Sequence, residues 1–217
     1  MSNDCEADRI VAELKQMGWE DIYDNESTKL SQAFPDPTKV DAHYYIHEWV
    51  MKNTSEGNNV LEVGCGVGLL AYMMIMGKRQ YLGVDVSKFA VEHCKNVIPS
   101  GTFVQGFAEK LNLEPDQFDV VVSNQVLEHL KTPEIALAEM VRVLKVGGKL
   151  IVTVPIEKKL NDKTHVQHWD IYQIIQMFEK FSKDFKIYYL NKYVRMNIAY
   201  EPEEKNVFGI ILVKEGK

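Results

Sequence analysis

The segment Glu62-Val63-Gly64-Cys65-Gly66-Val67-Gly68 packs a carboxylate, three glycines and a thiol into seven residues. Glycines so spaced let a chain turn sharply and let a ligand come close to the backbone. Asp85 follows Gly64 by 21 residues. A carboxylate at the end of the next strand can accept hydrogen bonds from both hydroxyls of a ribose. An Asp after a strand is often only a helix cap, but Ser87 can do that capping and leave Asp85 for a ligand. A glycine turn by itself is equally a structural turn. Joined to Asp85, it points to an adenosine-type cofactor. The dinucleotide fingerprint is G-x-G-x-x-G. Here the third glycine comes one residue early, giving G-x-G-x-G.

Histidine is the second chemical resource, because its pKa near neutrality suits a general base. His129 follows Glu128 in QVLEHL, and His165 and His168 lie in THVQHWD. These three are the candidate catalytic residues, with Trp169 expected to wall the acceptor pocket. The bland alternative for each is a loop imidazole bonded to backbone. His43, His47 and His93 fit helix surfaces.

These groups need elements to position them. NNVLEVG reads as a strand leading into the glycine turn, and LLAYMMIM as the helix after it, its methionines filling core. QYLGVDV, TFVQG, FDVVVSN and KLIVTVP read as further strands, the third a continuous buried run. KFAVEHCKNV and PEIALAEMVRVLK read as helices, the second opening at Pro133 and ending at Gly147-Gly148. WDIYQIIQMFEKF is an amphipathic helix with Asp170 as its cap. DFKIYYLNKY and NVFGIILVKE close the chain as two strands antiparallel to each other. Such alternation specifies a doubly wound α/β fold. The expected sheet is mostly parallel and seven-stranded, with an antiparallel strand near the C-terminus and helices on both faces. Residues 1–57 stand outside this pattern as a helical cap, and 58–217 form the cofactor-binding domain. In the cap, 8–17 and 38–52 carry helical periods, with Val40, Tyr44, Ile46, Trp49 and Val50 as candidate buried positions. Residues 19–37, with Pro35 and Pro37, read as loop. Tyr44, Tyr45 and Trp49 form an aromatic group that is packing surface or part of a lid.

VLEVGCGVGLL resembles the first motif of class I S-adenosylmethionine-dependent methyltransferases, and YLGVDVS their second. FVQGFAEKLNLEPDQFDVVVSNQVLEHL resembles their third and fourth, and LKVGGKLIVTVP the fifth strand and the helix end before it. The resemblance runs from about residue 58 to 180. It implies S-adenosyl-L-methionine as cofactor, with Glu62, Gly64, Cys65 and Gly66 lining its methionine end. Asp85 would hold the ribose and Val86 the adenine face. Phe107 stands where the family often has Asp or Asn, so the adenine edge falls to backbone at Phe107 and Ala108, or to Glu109. Asn124 and Gln125 would lie near the sulfonium. The implied activity is methyl transfer to oxygen or nitrogen of a small-molecule acceptor. A cofactor-binding protein without turnover is a second reading. A third is a metal-dependent RNA 3′-terminal 2′-O-methyltransferase. Small-RNA enzymes of that kind resemble this chain around Glu128-His129 and a later His, and bind a divalent ion with two Glu and two His. Gln125 replaces one of those carboxylates, and amide oxygen is a poorer ligand for a hard cation. No metal is expected.

The 217 residues suit one large domain, and the net charge of −6 weighs against a nucleic-acid partner. Lys158-Lys159 reads as a solvated loop. The three cysteines, Cys5, Cys65 and Cys94, match no metal or disulfide framework. An acidic N-terminus unlike a signal peptide and the absence of a membrane-length apolar run complete a cytoplasmic reading. Nothing in the sequence sets the oligomeric state.

Overall fold

The computed structural model describes residues 3–16, 23–25, 44–156, 164–190 and 206–216. The expectations for Val40, His43, Pro35, Pro37, Lys158 and Lys159 fall outside these residues, as do those for the side chains of Cys5 and Tyr44.

The described elements run α1 (Asn3–Gln16), α2 (Tyr44–Lys52), β1 (Asn59–Val63), α3 (Leu69–Met76), β2 (Gln80–Asp85), α4 (Lys88–Val97), β3 (Thr102–Gln105) and β4 (Phe118–Asn124). A 3-10 turn at Leu127–His129 follows, then α5 (Pro133–Val143), β5 (Leu144–Ile156), α6 (Ile171–Phe178), β6 (Phe185–Leu190) and β7 (Asn206–Val213). The seven strands form one sheet in the order β3-β2-β1-β4-β5-β7-β6. β1 to β5 pair in parallel, and β7 runs antiparallel to both β5 and β6. This is the doubly wound α/β sheet expected from the alternation of elements.

The winding explains where the chemistry collects. From β1 the chain moves outward through β2 and β3, then returns to lay β4 on the other side of β1. Strand order reverses between β1 and β4, and in open sheets of this kind ligands bind beyond the carboxyl ends of the strands at such a reversal. β4 can take this central place because Val120, Val121 and Val122 are buried, as a strand covered on both faces requires.

Two apolar layers flank the sheet. One joins Leu61, Val121, Leu137, Met140 and Leu150 to Ile174 and Phe178 of α6. The other joins Val60, Val122 and Ile151 to Leu70 and Met74 of α3, and to Ile46 and Val50 of α2. α2 thus contributes to the same core as the strands.

Four sequence expectations are corrected, the first being the loop read over 19–37, within which residues 23–25 form a helical turn. The helix from Pro133 ends at Val143, before Gly147-Gly148, because Leu144 turns extended and pairs with Phe118 of β4. His47 is buried rather than on a helix surface, lying beside Ile46 on the inner face of α2. Met76 is 66% exposed, since it ends α3 beyond the sheet, whereas Met74 fills core. Trp169 is half-buried against the layer containing Ile174 and Phe178, and its role as a pocket wall stays an expectation.

Candidate active site

The loop after β1 is held from below. The N–H groups of Gly64 and Cys65 donate to the carbonyl of Val84, at 2.7 and 3.1 Å. Gly64 has φ 80, and a Cβ there would come within 2.2 Å of Val126 Cγ2. Both conditions require glycine. Gly66 has φ 49, and a Cβ built on it would meet nothing within 4 Å. The loop is therefore packed on one side and open at Gly66.

Asp85 ends β2 beside this loop. Its Oδ2 accepts from Gly66 N at 2.7 Å and its Oδ1 from Ser87 N at 2.9 Å. Ser87 caps α4, its Oγ accepting from Ala90 N at 3.0 Å. Capping by Ser87 does not leave Asp85 idle: the carboxylate braces the glycine loop. Each of its oxygens still has a lone-pair direction for a further donor. Burial raises the Asp85 pKa, opposed by the bonds from Ser87 and Gly66. Glu62, inside β1, accepts from Tyr81 Oη at 2.5 Å. Burial pushes its pKa to about 8, the Tyr81 bond pulls it down, and Asp85 adds to the rise.

Beyond β4, Asn124 and Gln125 are fixed through β5. Thr153 Oγ1 donates to Asn124 Oδ1 at 2.6 Å and accepts from Gln125 N and Nε2, each at 3.2 Å. Gln125 sits at φ 56, a strained conformation for a residue with a side chain. On the far side of the loop, Phe107 and Val86 pack with Ile10 and Val11 of α1. Ala108 and Glu109 are buried alongside. Glu109 Oε1 is buried without a hydrogen-bond partner among the described residues. Burial also raises this carboxyl group's pKa.

The catalytic candidates divide. The 3-10 turn carries His129, whose Nδ1 lies 3.1 Å from the carbonyl of Thr164. That carbonyl can only accept, so Nδ1 carries a proton. The N–H groups of Val166 and Gln167 both donate to the carbonyl of Glu128, at 2.8 and 3.0 Å. They pin the strap onto the turn and bring the His165 ring within 4.8 Å of His129, at 73°. Along the strap, His165, Gln167 and Trp169 are half-buried, while Val166 and His168 are exposed. The ring contact of His129 is with His165, while His168 is exposed. One carboxylate oxygen of Glu128 and one nitrogen from each of His129 and His165 lie within 4.8 Å of one another.

Four participants were not singled out from the sequence. Tyr81 and Thr153 hold Glu62 and Asn124. Asp24 Oδ1 accepts from Ser87 Oγ at 2.6 Å and from Phe89 N at 3.0 Å. The ring of Tyr23 lies 5.6 Å from that of His129, edge to face.

The residues fit S-adenosylmethionine. Gly66 leaves open space beside the Asp85 carboxylate. Glu109 Oε1 is a buried acceptor suited to the amino group of an adenine, next to Phe107 and Ala108.

A sequence family described as a methyltransferase domain matches residues 61–152. The chain is 32% identical over 124 residues to a protein of Mycolicibacterium smegmatis named a probable S-adenosylmethionine-dependent methyltransferase, covering 55% of this chain and 48% of that one. It is 33% identical over 107 residues to a ubiquinone biosynthesis O-methyltransferase of Methylococcus capsulatus, covering 46% of this chain and 45% of that one. The chain spans about half the length of these curated relatives. A solved S-adenosylmethionine-dependent methyltransferase structure from Thermotoga maritima superposes with a TM-score of 0.68 at 22% identity, covering 90% of this chain and 99% of that one. This last is a likeness of fold.

Proposed function

Since the chain belongs to the class I S-adenosylmethionine-dependent methyltransferase family, we propose that it transfers a methyl group to oxygen or nitrogen of a small-molecule acceptor in the cytoplasm. One observation carries the reading: the braced Gly64–Asp85 loop and the His129–His165 pair stand at the carboxyl ends of neighbouring strands, around one strand-order reversal. S-adenosylmethionine supplies a methyl carbon on cationic sulfur, which bonds to an acceptor lone pair as the S–C electron pair stays with sulfur. Asp85 holds the ribose, Val86 and Phe107 flank the adenine, and Glu109 with Ala108 reads its edge. Glu62, Gly64, Cys65 and Gly66 line the methionine end, with Asn124 and Gln125 beside the sulfur. His129 Nε2 and His165 meet the acceptor, and one of them takes its proton. Alignment supplies much of the remaining rate.

Three further facts bear on the setting and the acceptor. Cys65 and Cys94 are buried free thiols. Among the described residues no helix is long and apolar enough to cross a membrane. One of the relatives is named for O-methylation in ubiquinone biosynthesis.

The test is incubation with S-adenosylmethionine carrying a labelled methyl group and a panel of phenols, quinols, sugars and amines. Labelled product together with S-adenosylhomocysteine supports the proposal. Cofactor binding without product from any acceptor supports the non-catalytic reading. Asp85→Ala should weaken S-adenosylhomocysteine binding at least tenfold by calorimetry, since charged hydrogen bonds are each worth roughly 1.5–3 kcal/mol.

The cluster of Glu128, His129 and His165 favours a second reading, in which a divalent ion bound there activates the acceptor. Two imidazoles and one carboxylate suit a transition metal and leave coordination positions open. An RNA 3′-terminal acceptor belongs to this reading, and the chain's acidic balance weighs against it.

A further inference from the structure

We propose that the helical turn 23–25 is a clasp joining the two sides of the site, in which Asp24 positions Asp85 and Tyr23 positions His129. The inference rests on the methyltransferase reading and adds two positioning residues to it.

The nucleoside side is reached through a short chain of hydrogen bonds. Asp24 Oδ1 accepts from Ser87 Oγ and from Phe89 N, at 2.6 and 3.0 Å. Ser87 N in turn donates to Asp85 Oδ1, and Asp85 Oδ2 accepts from Gly66 N. Asp24 is thus one residue removed from the carboxylate that braces the glycine loop. It also satisfies a backbone N–H in the first turn of α4, where a negative charge is favoured. Ser87 is fully buried and Asp85 8% exposed, so these bonds are made with little competition from water.

The acceptor side is reached by the preceding residue. The Tyr23 ring meets His129 edge to face, with centroids 5.6 Å apart and planes at 85°. On its other side, His129 meets His165 at 4.8 Å. With Nδ1 tied to Thr164, His129 is fixed on three sides, and Tyr23 supplies one of them. Tyr23 and Asp24 are consecutive, so a shift of the turn cannot alter one contact without altering the other. Ligand binding against Asp85 is therefore felt at His129 through the clasp.

The experiment uses the full chain with 13C-labelled histidine and S-adenosylhomocysteine as probe. The His129 resonance is assigned by its loss in His129→Gln. In the wild type, that resonance shifts on binding. Asp24→Ala weakens binding at least tenfold, and Asp24→Asn, which still accepts from Ser87, restores it to within about threefold. Tyr23→Ala keeps affinity within about threefold but abolishes the His129 shift, whereas Tyr23→Phe retains both. Wild-type affinity in Asp24→Ala, or an undiminished His129 shift in Tyr23→Ala, overturns the clasp while leaving the methyltransferase reading intact. No binding of S-adenosylhomocysteine to the wild type overturns both.

Discussion

Tyr81 donates its phenolic proton to Glu62 across the β1–β2 pair, at 2.5 Å, inside a fully buried environment. The bond favours the ionised carboxylate, but burial is the larger effect and lifts the Glu62 pKa to about 8 from an ordinary 4.5. A carboxyl group whose pKa is raised by folding binds its proton more tightly in the folded state. Its stability contribution is complete below about pH 4.5 and is lost as pH rises through about 8. Glu62→Gln removes that loss and keeps an oxygen to accept from Tyr81. The variant should gain on the wild type between pH 5 and pH 9, with a Tm difference growing by at least ~3 °C, roughly 1 kcal/mol for a domain of this size. Parallel melting curves across that range would show that Glu62 does not titrate on unfolding.

Gly64 faces Val126 across the junction of β1 and β4. A methyl group on Gly64 both overlaps Val126 Cγ2 and strains a φ of 80. Gly64→Ala should cost about 1–3 kcal/mol in urea unfolding. Adding Val126→Ala relieves the overlap but not the backbone strain, so the double variant should recover only part of the loss relative to Val126→Ala alone. Full recovery would assign the whole cost to the overlap.

Both residues show what a single sequence reveals. Local signals carried the strand–helix alternation, the glycine turn and Asp85, because period, turn chemistry and caps are written in neighbouring residues. The partners were not legible. Tyr81 lies 19 residues from Glu62, Thr153 29 from Asn124, and Asp24 63 from Ser87. Only the folded sheet and the clasp bring them together. The His165–His168 spacing left open which imidazole meets His129, because that contact is set by the bonds from Val166 and Gln167 to the Glu128 carbonyl. The end of α5 at Val143 depends on the pairing of Leu144 with Phe118, which no propensity at Gly147 could reveal.

Chelation separates the two readings of the Glu128–His129–His165 cluster. By the resemblance to the metal-dependent enzymes, Gln125 stands where they have a carboxylate ligand, and its Nε2 is engaged with Thr153. Turnover should therefore survive EDTA and dialysis within about twofold. Loss of turnover restored by manganese or cobalt would favour the metal-dependent reading.

The strap 164–169 gives the most direct test of acceptor activation. His129 and His165 meet ring to ring, while His168 is exposed. The Thr164 carbonyl holds a proton on His129 Nδ1, which in the neutral ring makes Nε2 the basic nitrogen. General-base assistance is typically worth 10²–10⁴-fold, so His129→Ala should lower kcat by about that factor if its Nε2 takes the acceptor proton. His165→Ala should lower kcat by at least about tenfold, because it removes the ring against which His129 rests. Neither change touches the Gly64–Asp85 loop, so S-adenosylhomocysteine affinity should stay within about threefold, placing the loss in the transition state. His168→Ala should change kcat less than about twofold. Single-turnover assays with an acceptor found in the labelled-methyl panel measure all three. If His168→Ala alone is impaired, the acceptor approaches from the outer side of the strap. If all three variants turn over normally, the imidazoles only fasten the strap, and deprotonation belongs to solvent.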